Sequence, residues 1–331
     1  MSKIRPSKGA PYARILGVGG YRPVRVVPNE VILETIDSSD EWIRSRSGIA
    51  TRHWASADET VAAMSIEASG KAIADSGISA DQIGGVIVST VSHFKQTPAV
   101  ATEIADKLGT GKAAAFDISA GCAGFGYGLT LAKGMIVEGS ARYVLVIGVE
   151  RLSDLTDLQD RATAFLFGDG AGAVVVGPSD EPAIGPTIWG SEGDKSETIK
   201  QTVPWTEYDS SGKFPAITQE GQAVFRWAVF EMAKVAQQAL DAAGISPDDL
   251  DVFIPHQANM RIIDSMVKTL KLPDHVTVAR DVETTGNTSA ASIPLAMERL
   301  LATGQAKSGD TALVIGFGAG LVYAATVVTL P

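Results

Sequence analysis

Apolar positions along this chain follow two alternating rhythms. Over Phe225–Ala243, the residues Val229, Met232, Ala233, Ala236 and Leu240 recur at three- and four-residue intervals, which predicts a helix with one apolar stripe. Between such stretches lie short, almost wholly apolar runs, Val86–Ser89 and Val252–Pro255, without the alternation of a half-exposed strand. Gly77 and Gly244 stand where helix C-caps are expected. Apolar strands alternating with helices predict an α/β architecture in which a parallel sheet is covered on both faces. A further strand, Ala113–Ile118, leads through Ser119, Ala120 and Gly121 to Cys122, and then to a helix-like run at Leu129–Glu138. The polar, glycine-containing segment 187–222 has neither rhythm and is expected to be loop.

The uncharged stretch Thr311–Pro331 has the length of a membrane span at 21 residues. Gly316, Gly318 and Gly320 interrupt it, and its flanks are rich in Val, Ala, Tyr and Thr, so it reads as two buried strands around a glycine turn.

The pattern is written twice. A shift of 167 lays Ala72 on Ala239, Gly77 on Gly244, Ile78-Ser79 on Ile245-Ser246 and Asp81 on Asp248. A shift of 168 lays the run Val144–Gly148 on Ala312–Gly316. Two matches at nearly one offset indicate an internal duplication, with halves at 1–180 and 181–331. The predicted arrangement is two similar α/β units side by side, built as layers of helix and sheet.

Composition narrows the function. The 331 residues are 45% apolar and 20% charged, which is a globular profile. With 38 Asp and Glu against 28 Lys and Arg, the formal net charge of −10 argues against a general nucleic-acid binder. One cysteine, Cys122, allows no internal disulfide, and the four histidines show no metal-ligand spacing, so no metal site is expected. The single thiol favours a reduced setting, and the first eight residues are basic without a following apolar segment, so a cytoplasmic protein without a membrane anchor is expected.

Ligands of open α/β sheets lie beyond the carboxyl ends of the strands, and three reactive candidates fall there. Cys122 sits in a strand–turn–helix layout in which a helix N-terminus favours the thiolate; it reads equally as a small buried residue in a glycine-rich turn. His256 follows the strand Val252–Pro255, whereas the first copy has Ser89 there; a histidine satisfied by neighbouring loops is the alternative. Asn287, by itself a turn or N-cap residue, corresponds to Ser119, so duplication places it in a turn equivalent to that of Cys122. Cys, His and Asn together suit acyl transfer through a thioester. Two glycine runs, 167–172 and 316–320, allow close backbone approach, the second as a donor to an oxyanion. A dinucleotide-binding reading of Gly17–Gly20 fails, because Pro23 and Pro28 exclude the helix it requires.

Asp-Glu-Trp-Ile (40–43), Gly-Cys-Ala-Gly-Phe (121–125), Leu-Phe-Gly-Asp-Gly-Ala-Gly-Ala (166–173), Pro-His-Gln-Ala-Asn (255–259) and Gly-Asn-Thr-Ser-Ala-Ala-Ser (286–292) occur in this order. Together they resemble β-ketoacyl-acyl-carrier-protein synthase III, in its actinobacterial branch, across nearly the whole chain. The resemblance implies a thiolase-like fold in α-β-α-β-α layers and a decarboxylative Claisen condensation that initiates fatty-acid synthesis, with no cofactor. Cys122 would carry the acyl group from an acyl-CoA, and His256 and Asn287 would stabilise the enolate from malonyl-acyl carrier protein. The N–H groups of Cys122 and Ala319 would form the oxyanion hole; many relatives have glycine at the latter position.

The resemblance also gives Trp42 and Arg161 as an adenine sandwich for CoA and Arg46 as a pyrophosphate or carrier-protein contact. Without it, Arg44 and Arg46 read as solvated charges. Arg261 and Lys268, seven residues apart, would form a basic carrier-docking stripe on one helix face. Thr97 aligns with a position where some relatives carry a phenylalanine that shortens the acyl pocket across a homodimer interface, which predicts a pocket open to branched starters such as isobutyryl-CoA. A starter-unit ketosynthase of an aromatic polyketide pathway, a non-catalytic partner subunit and a Cys hydrolase are the alternative readings.

Overall fold

A computed structural model describes residues 4–208, 212 and 214–331, so the first three residues of the basic N-terminal run and part of the 187–222 segment lie outside the described residues. Two five-stranded sheets form its frame. The first runs Tyr12–Tyr21, Asp169–Ser179, Val144–Arg151, Gly85–Ser89, Ala114–Ile118. The second runs Ile188–Ser191, Val322–Thr329, Thr311–Gly318, Val252–Pro255, Thr277–Val278. Read in these orders, both sheets have two antiparallel pairings followed by two parallel ones.

The register explains why the repeat needs two offsets. Val86 pairs with Leu145, and Phe253, 167 residues on from Val86, pairs with Leu313, 168 on from Leu145. The repeat is therefore structural, and the expected duplicated α/β architecture is the observed one.

Three layers of helix sandwich the two sheets. Between them lie the helices Gly124–Glu138 and Ser292–Ala302, whose Phe125, Leu129, Ile293 and Met297 pack against Val146 and Val174 of one sheet and Ile254 and Val314 of the other. The helices Val61–Ser76 and Val100–Leu108 cover the outer face of the first sheet. Those at Met232–Ala243 and Met260–Leu270 cover the second. A strand with apolar layers on both faces has no solvent side, which accounts for the unbroken apolar runs. Gly77 and Gly244 cap their helices in left-handed conformation, at φ 71° and 73°.

Some expectations are corrected. The sheets are mixed rather than parallel, because the duplicated unit ends in an antiparallel hairpin; Thr311–Gly318 and Val322–Thr329 are the strands expected around the last glycine turn. The glycine run at 167–172 is largely strand, entering Asp169–Ser179. The predicted helix over Phe225–Ala243 is interrupted at Glu231. Segment 187–222 is not all loop: Ile188–Ser191 completes the second sheet, and Ile199–Gln201 pairs with Ile217–Gln219. These strands are only three or four residues long, too short to display a period.

Candidate active site

The two central helices bring equivalent turns face to face. Cys122 lies in the single turn Gly121–Ala123 at the start of Gly124–Glu138, and its counterpart turn, Ser289–Ala291, starts Ser292–Ala302. Gly121 and Ser289, related by the 168-residue shift, both adopt left-handed backbone, at φ 46° and 47°. Glycine takes that conformation freely; serine holds it against a steric penalty.

These turns open on one cavity of about 1010 Å³ that contains Cys122, His256, Asn287 and Ala319 in its wall, with Phe317 and Trp227 among its apolar surfaces. The three reactive candidates thus converge. A Cβ added at Gly318 would lie 2.7 Å from Cys122 Sγ, so the thiol is seated directly against the strand Thr311–Gly318. Ala319, one residue on, adjoins Gly121 and lines the same cavity. Burial pushes the Cys122 thiol up to about 12. The resting Cys122 side chain is therefore a thiol; the helix N-terminus alone does not make it a thiolate.

His256 follows Val252–Pro255, and its backbone N–H donates to the Ile315 carbonyl at 2.7 Å. The side chain is 1% exposed, and burial brings it down to about 3, so the imidazole is neutral across the physiological range. Its Nδ1 lies 2.7 Å from Ser292 Oγ, which already accepts the Gln257 backbone N–H at 3.3 Å. With Nδ1 engaged, Nε2 is the ring nitrogen left for a ligand. Phe317 packs edge-on against the ring at 5.4 Å.

Asn287 is fixed by a backbone bridge to the 166–168 segment, with its N–H on Leu166 O at 2.8 Å and its carbonyl accepting Gly168 N–H at 3.0 Å. Its Oδ1 accepts the Ser289 N–H at 2.9 Å, which assigns the Nδ2 donor to the cavity side. The glycine-rich 166–173 run thus serves to hold this turn. Asp169 within it ties Ala55 N–H at 2.7 Å and Ser153 Oγ at 2.6 Å together, and burial raises its carboxyl to about 6.

The other candidates lie outside this centre. Arg161 sits 4.9 Å from the Trp42 ring and Arg46 5.9 Å from it, a cation–π cluster on the helix Asp40–Ser47. A base can enter between Trp42 and Arg161 only if the arginine swings aside. Arg46 O accepts the Asn259 side-chain amide at 3.0 Å, joining this helix to Met260–Leu270. Arg261 and Lys268 are both exposed on the latter helix. Arg261 lies 5.0 Å from the Phe225 ring, and the intervening Asp264 is ion-paired to Arg280 at 2.8 Å, so the face stays basic. Thr97 is exposed and does not line this chain's cavity, whereas Phe94, Lys95 and Gln96 do. Among the described residues no His/Cys/Asp/Glu group could hold a metal ion, and no helix is long and apolar enough to cross a membrane.

Sequence reasoning missed Ser289, Ser292 and Glu150. A signal existed for Ser289, since a serine aligned with a turn glycine is unusual. It existed also for Glu150, an acid that follows the apolar run Val144–Val149.

Residues 116–193 match the family described as 3-oxoacyl-(acyl-carrier-protein (ACP)) synthase III, and residues 240–330 match its C-terminal part. A β-ketoacyl-(acyl-carrier-protein) synthase III from Streptomyces glaucescens is 90% identical over 100% of both chains. A mycobacterial β-ketoacyl-(acyl-carrier-protein) synthase III from Mycobacterium marinum is 54% identical over 100% of this chain and 99% of its own. Among solved structures, the priming β-ketosynthase from the R1128 polyketide biosynthetic pathway superposes with a TM-score of 0.97 at 46% identity, covering 100% of this chain and 99% of its own.

Proposed function

This chain belongs to the β-ketoacyl-(acyl-carrier-protein) synthase III family of condensing acyltransferases, and on that premise we infer the residue roles, substrates and assembly that follow. Cys122 attacks the carbonyl of an acyl-CoA starter; the acyl group moves to Sγ and CoA leaves as the thiol. Malonyl-acyl carrier protein then enters, its C–C bond to the carboxylate breaks, and CO2 departs. The enolate oxygen left behind receives hydrogen bonds from His256 Nε2 and Asn287 Nδ2. The enolate carbon attacks the acyl-Cys122 carbonyl, whose oxygen is held by the Cys122 and Ala319 N–H groups. Expulsion of Sγ gives the 3-ketoacyl-carrier protein, and the thiolate takes up a proton.

The observation that carries this reading is the convergence of Cys122, His256 and Asn287 on one largely apolar cavity. A neutral histidine supports it, because enolate stabilisation needs a hydrogen-bond donor and an uncharged ring leaves the malonyl carboxylate unpaired and free to depart. Trp42, Arg161 and Arg46 hold the nucleotide end of CoA. Arg261 and Lys268, both in the second of the two halves taken as 1–180 and 181–331, dock the carrier protein. The enzyme acts as a cytoplasmic homodimer in which Thr97 of one protomer borders the other's acyl pocket, leaving space for branched starters.

Priming of a polyketide pathway is the second reading, favoured by the 0.97 TM-score to the R1128 priming enzyme. Intact-protein mass spectrometry after incubation with acetyl-CoA and isobutyryl-CoA, followed by malonyl-carrier protein, tests the proposal. Acyl mass gained on Cys122 and discharged into a 3-ketoacyl-carrier product supports it; discharge to water indicates a hydrolase and rejects it. The two pathways separate by which carrier protein discharges the enzyme faster.

A further inference from the structure

Glu150 lies near the end of the strand Val144–Arg151, and the steps above give it no task. The residue is fully buried, at 0% exposure. One of its oxygens, Oε2, accepts the Ser92 hydroxyl at 2.6 Å, the Val91 N–H at 3.1 Å and the Thr90 hydroxyl at 3.3 Å. Ser92 Oγ in turn accepts the Arg151 N–H at 2.8 Å, so strand and loop are tied in both directions. The strand itself does not call for an acid here. The 168-residue shift lays Glu150 on Gly318, so only the first copy carries a carboxylate at this place. A buried carboxylate is costly unless donors compensate it, and these donors belong to a loop.

That loop is a wall of the cavity. It leaves the strand Gly85–Ser89 beside the turn that carries Cys122: Ser89 Oγ fills the place a Cβ on Gly124 would take, and Thr90 N–H donates to Ile118 O at 3.3 Å. Thr90 and Val91 line the cavity, as do His93, Phe94, Lys95 and Gln96 farther along, whereas Glu150 and Ser92 stand behind it. A second carboxylate holds the far end, where Asp117 accepts the Val100 and Ala101 N–H groups at 2.8 and 2.9 Å. The strands bearing Glu150 and Asp117 flank Gly85–Ser89 on opposite sides, so the loop is anchored from both neighbours of the strand it leaves.

We propose that Glu150 is a positioning residue that, together with Ser92, fixes Thr90 and Val91 as a wall of the acyl cavity and thereby restricts which starters Cys122 accepts. The proposal rests on Cys122 being the acylated residue. Three bonds to one oxygen set the height of the wall against the sheet. A starter that fits meets contacts already in place, and a longer one must break buried hydrogen bonds to make room. Once released, the wall can retreat, so long starters gain and short ones lose contact. His256 and Asn287 reach the cavity from the other copy, and the malonyl step does not sense the wall.

The test is kcat/KM for acetyl-, isobutyryl- and hexanoyl-CoA in the unaltered enzyme and in Ser92→Ala, Glu150→Met and Glu150→Gln. Ser92→Ala and Glu150→Met are expected to raise the ratio of hexanoyl- to isobutyryl-CoA by about tenfold, the low end of what a methylene-sized change of fit provides. Neither substitution alters a residue that lines the cavity. Glu150→Gln keeps an acceptor oxygen for the three donors and stays within about twofold of the unaltered ratio. Decarboxylation of malonyl-carrier protein by each acyl-loaded variant stays near the unaltered rate. Should Glu150→Met not fold, Ser92→Ala carries the same expectation. An unaltered ratio in folded Ser92→Ala or Glu150→Met overturns the proposal. So does a loss shared equally by all starters and by decarboxylation, or a Gln variant as altered as the Met variant. An unaltered enzyme that loads none of the three starters defeats the functional reading itself, a failure seen before any variant is compared.

Discussion

At the scale of single residues, the proposed centre divides labour between a thiol made reluctant by burial and two neutral donors. Cys122→Ala removes the only sulfur nucleophile, and no acyl adduct is expected by mass spectrometry at any pH; an undiminished adduct would refute the assignment. His256→Ala leaves Sγ in place, so acylation persists while malonyl decarboxylation falls by about 10²–10³-fold, the cost of one such donor. The pH dependence of that second step follows from the depressed histidine. Its ordinary value near 6.5 falls to about 3 in the fold, so the neutral ring persists as pH drops from 8 to 5. Decarboxylation by pre-acylated enzyme is expected to show no acidic limb near 6.5; such a limb, lost in His256→Ala, would count against a buried neutral imidazole.

These residues were legible to different degrees. Cys122 and His256 stand at strand ends, and Asn287 was raised above an ordinary turn residue by its position in the second copy. Ser292 was not found, because its significance lies in a contact with His256, 36 residues away in the chain, which no local period encodes.

At the scale of elements, the site depends on how closely the central helices approach the sheets. Phe125, the second residue of the helix Gly124–Glu138, is fully buried between both sheets. Phe125→Ala is expected to cost about 3–5 kcal/mol, read as a lower denaturant midpoint, because the cavity it leaves is walled by two rigid sheets. Gly318→Ala tests the seat of the thiol: the new methyl would meet Sγ, so acyl loading should fall further than thermal stability does. The sequence pattern revealed the long helices and central strands, whose apolar runs record burial on both faces. It failed at Ile188–Ser191, where a four-residue edge strand carries no period, and at the antiparallel pairings, which depend on chain reversal rather than on composition. On the exposed helix Met260–Leu270, reversing Arg261 and Lys268 to Glu is expected to raise KM for malonyl-carrier protein while acyl loading from CoA is unchanged; equal losses in both steps would place the effect elsewhere.

At the scale of the whole molecule, the protomer leaves surfaces that a second copy would cover. Among the described residues, Ala114–Ile118 pairs on one side only, and Phe116 and Ile118 are half-buried at that open edge. An unpaired edge with apolar side chains invites strand pairing. Beside the cavity, which Phe94 and Trp205 line, Phe94, Trp205 and Phe214 are 43%, 38% and 40% exposed and pack on one another tilted or edge-on, with ring centroids 4.8–6.2 Å apart. A cluster of this kind marks a binding surface. Light scattering is therefore expected to give twice the 34.5 kDa protomer mass, and a protomer-sized particle at micromolar concentration would contradict the dimer. Thr97, exposed on its own chain and immediately after the lining segment 93–96, then becomes the whole-molecule probe of starter choice. Thr97→Phe would add an aromatic ring at the partner's pocket, and kcat/KM for isobutyryl-CoA should fall at least tenfold relative to acetyl-CoA, the discrimination that about 1.4 kcal/mol of lost fit provides. An unchanged ratio in a variant that remains dimeric would remove Thr97 from the pocket and place starter choice in the walls of a single chain.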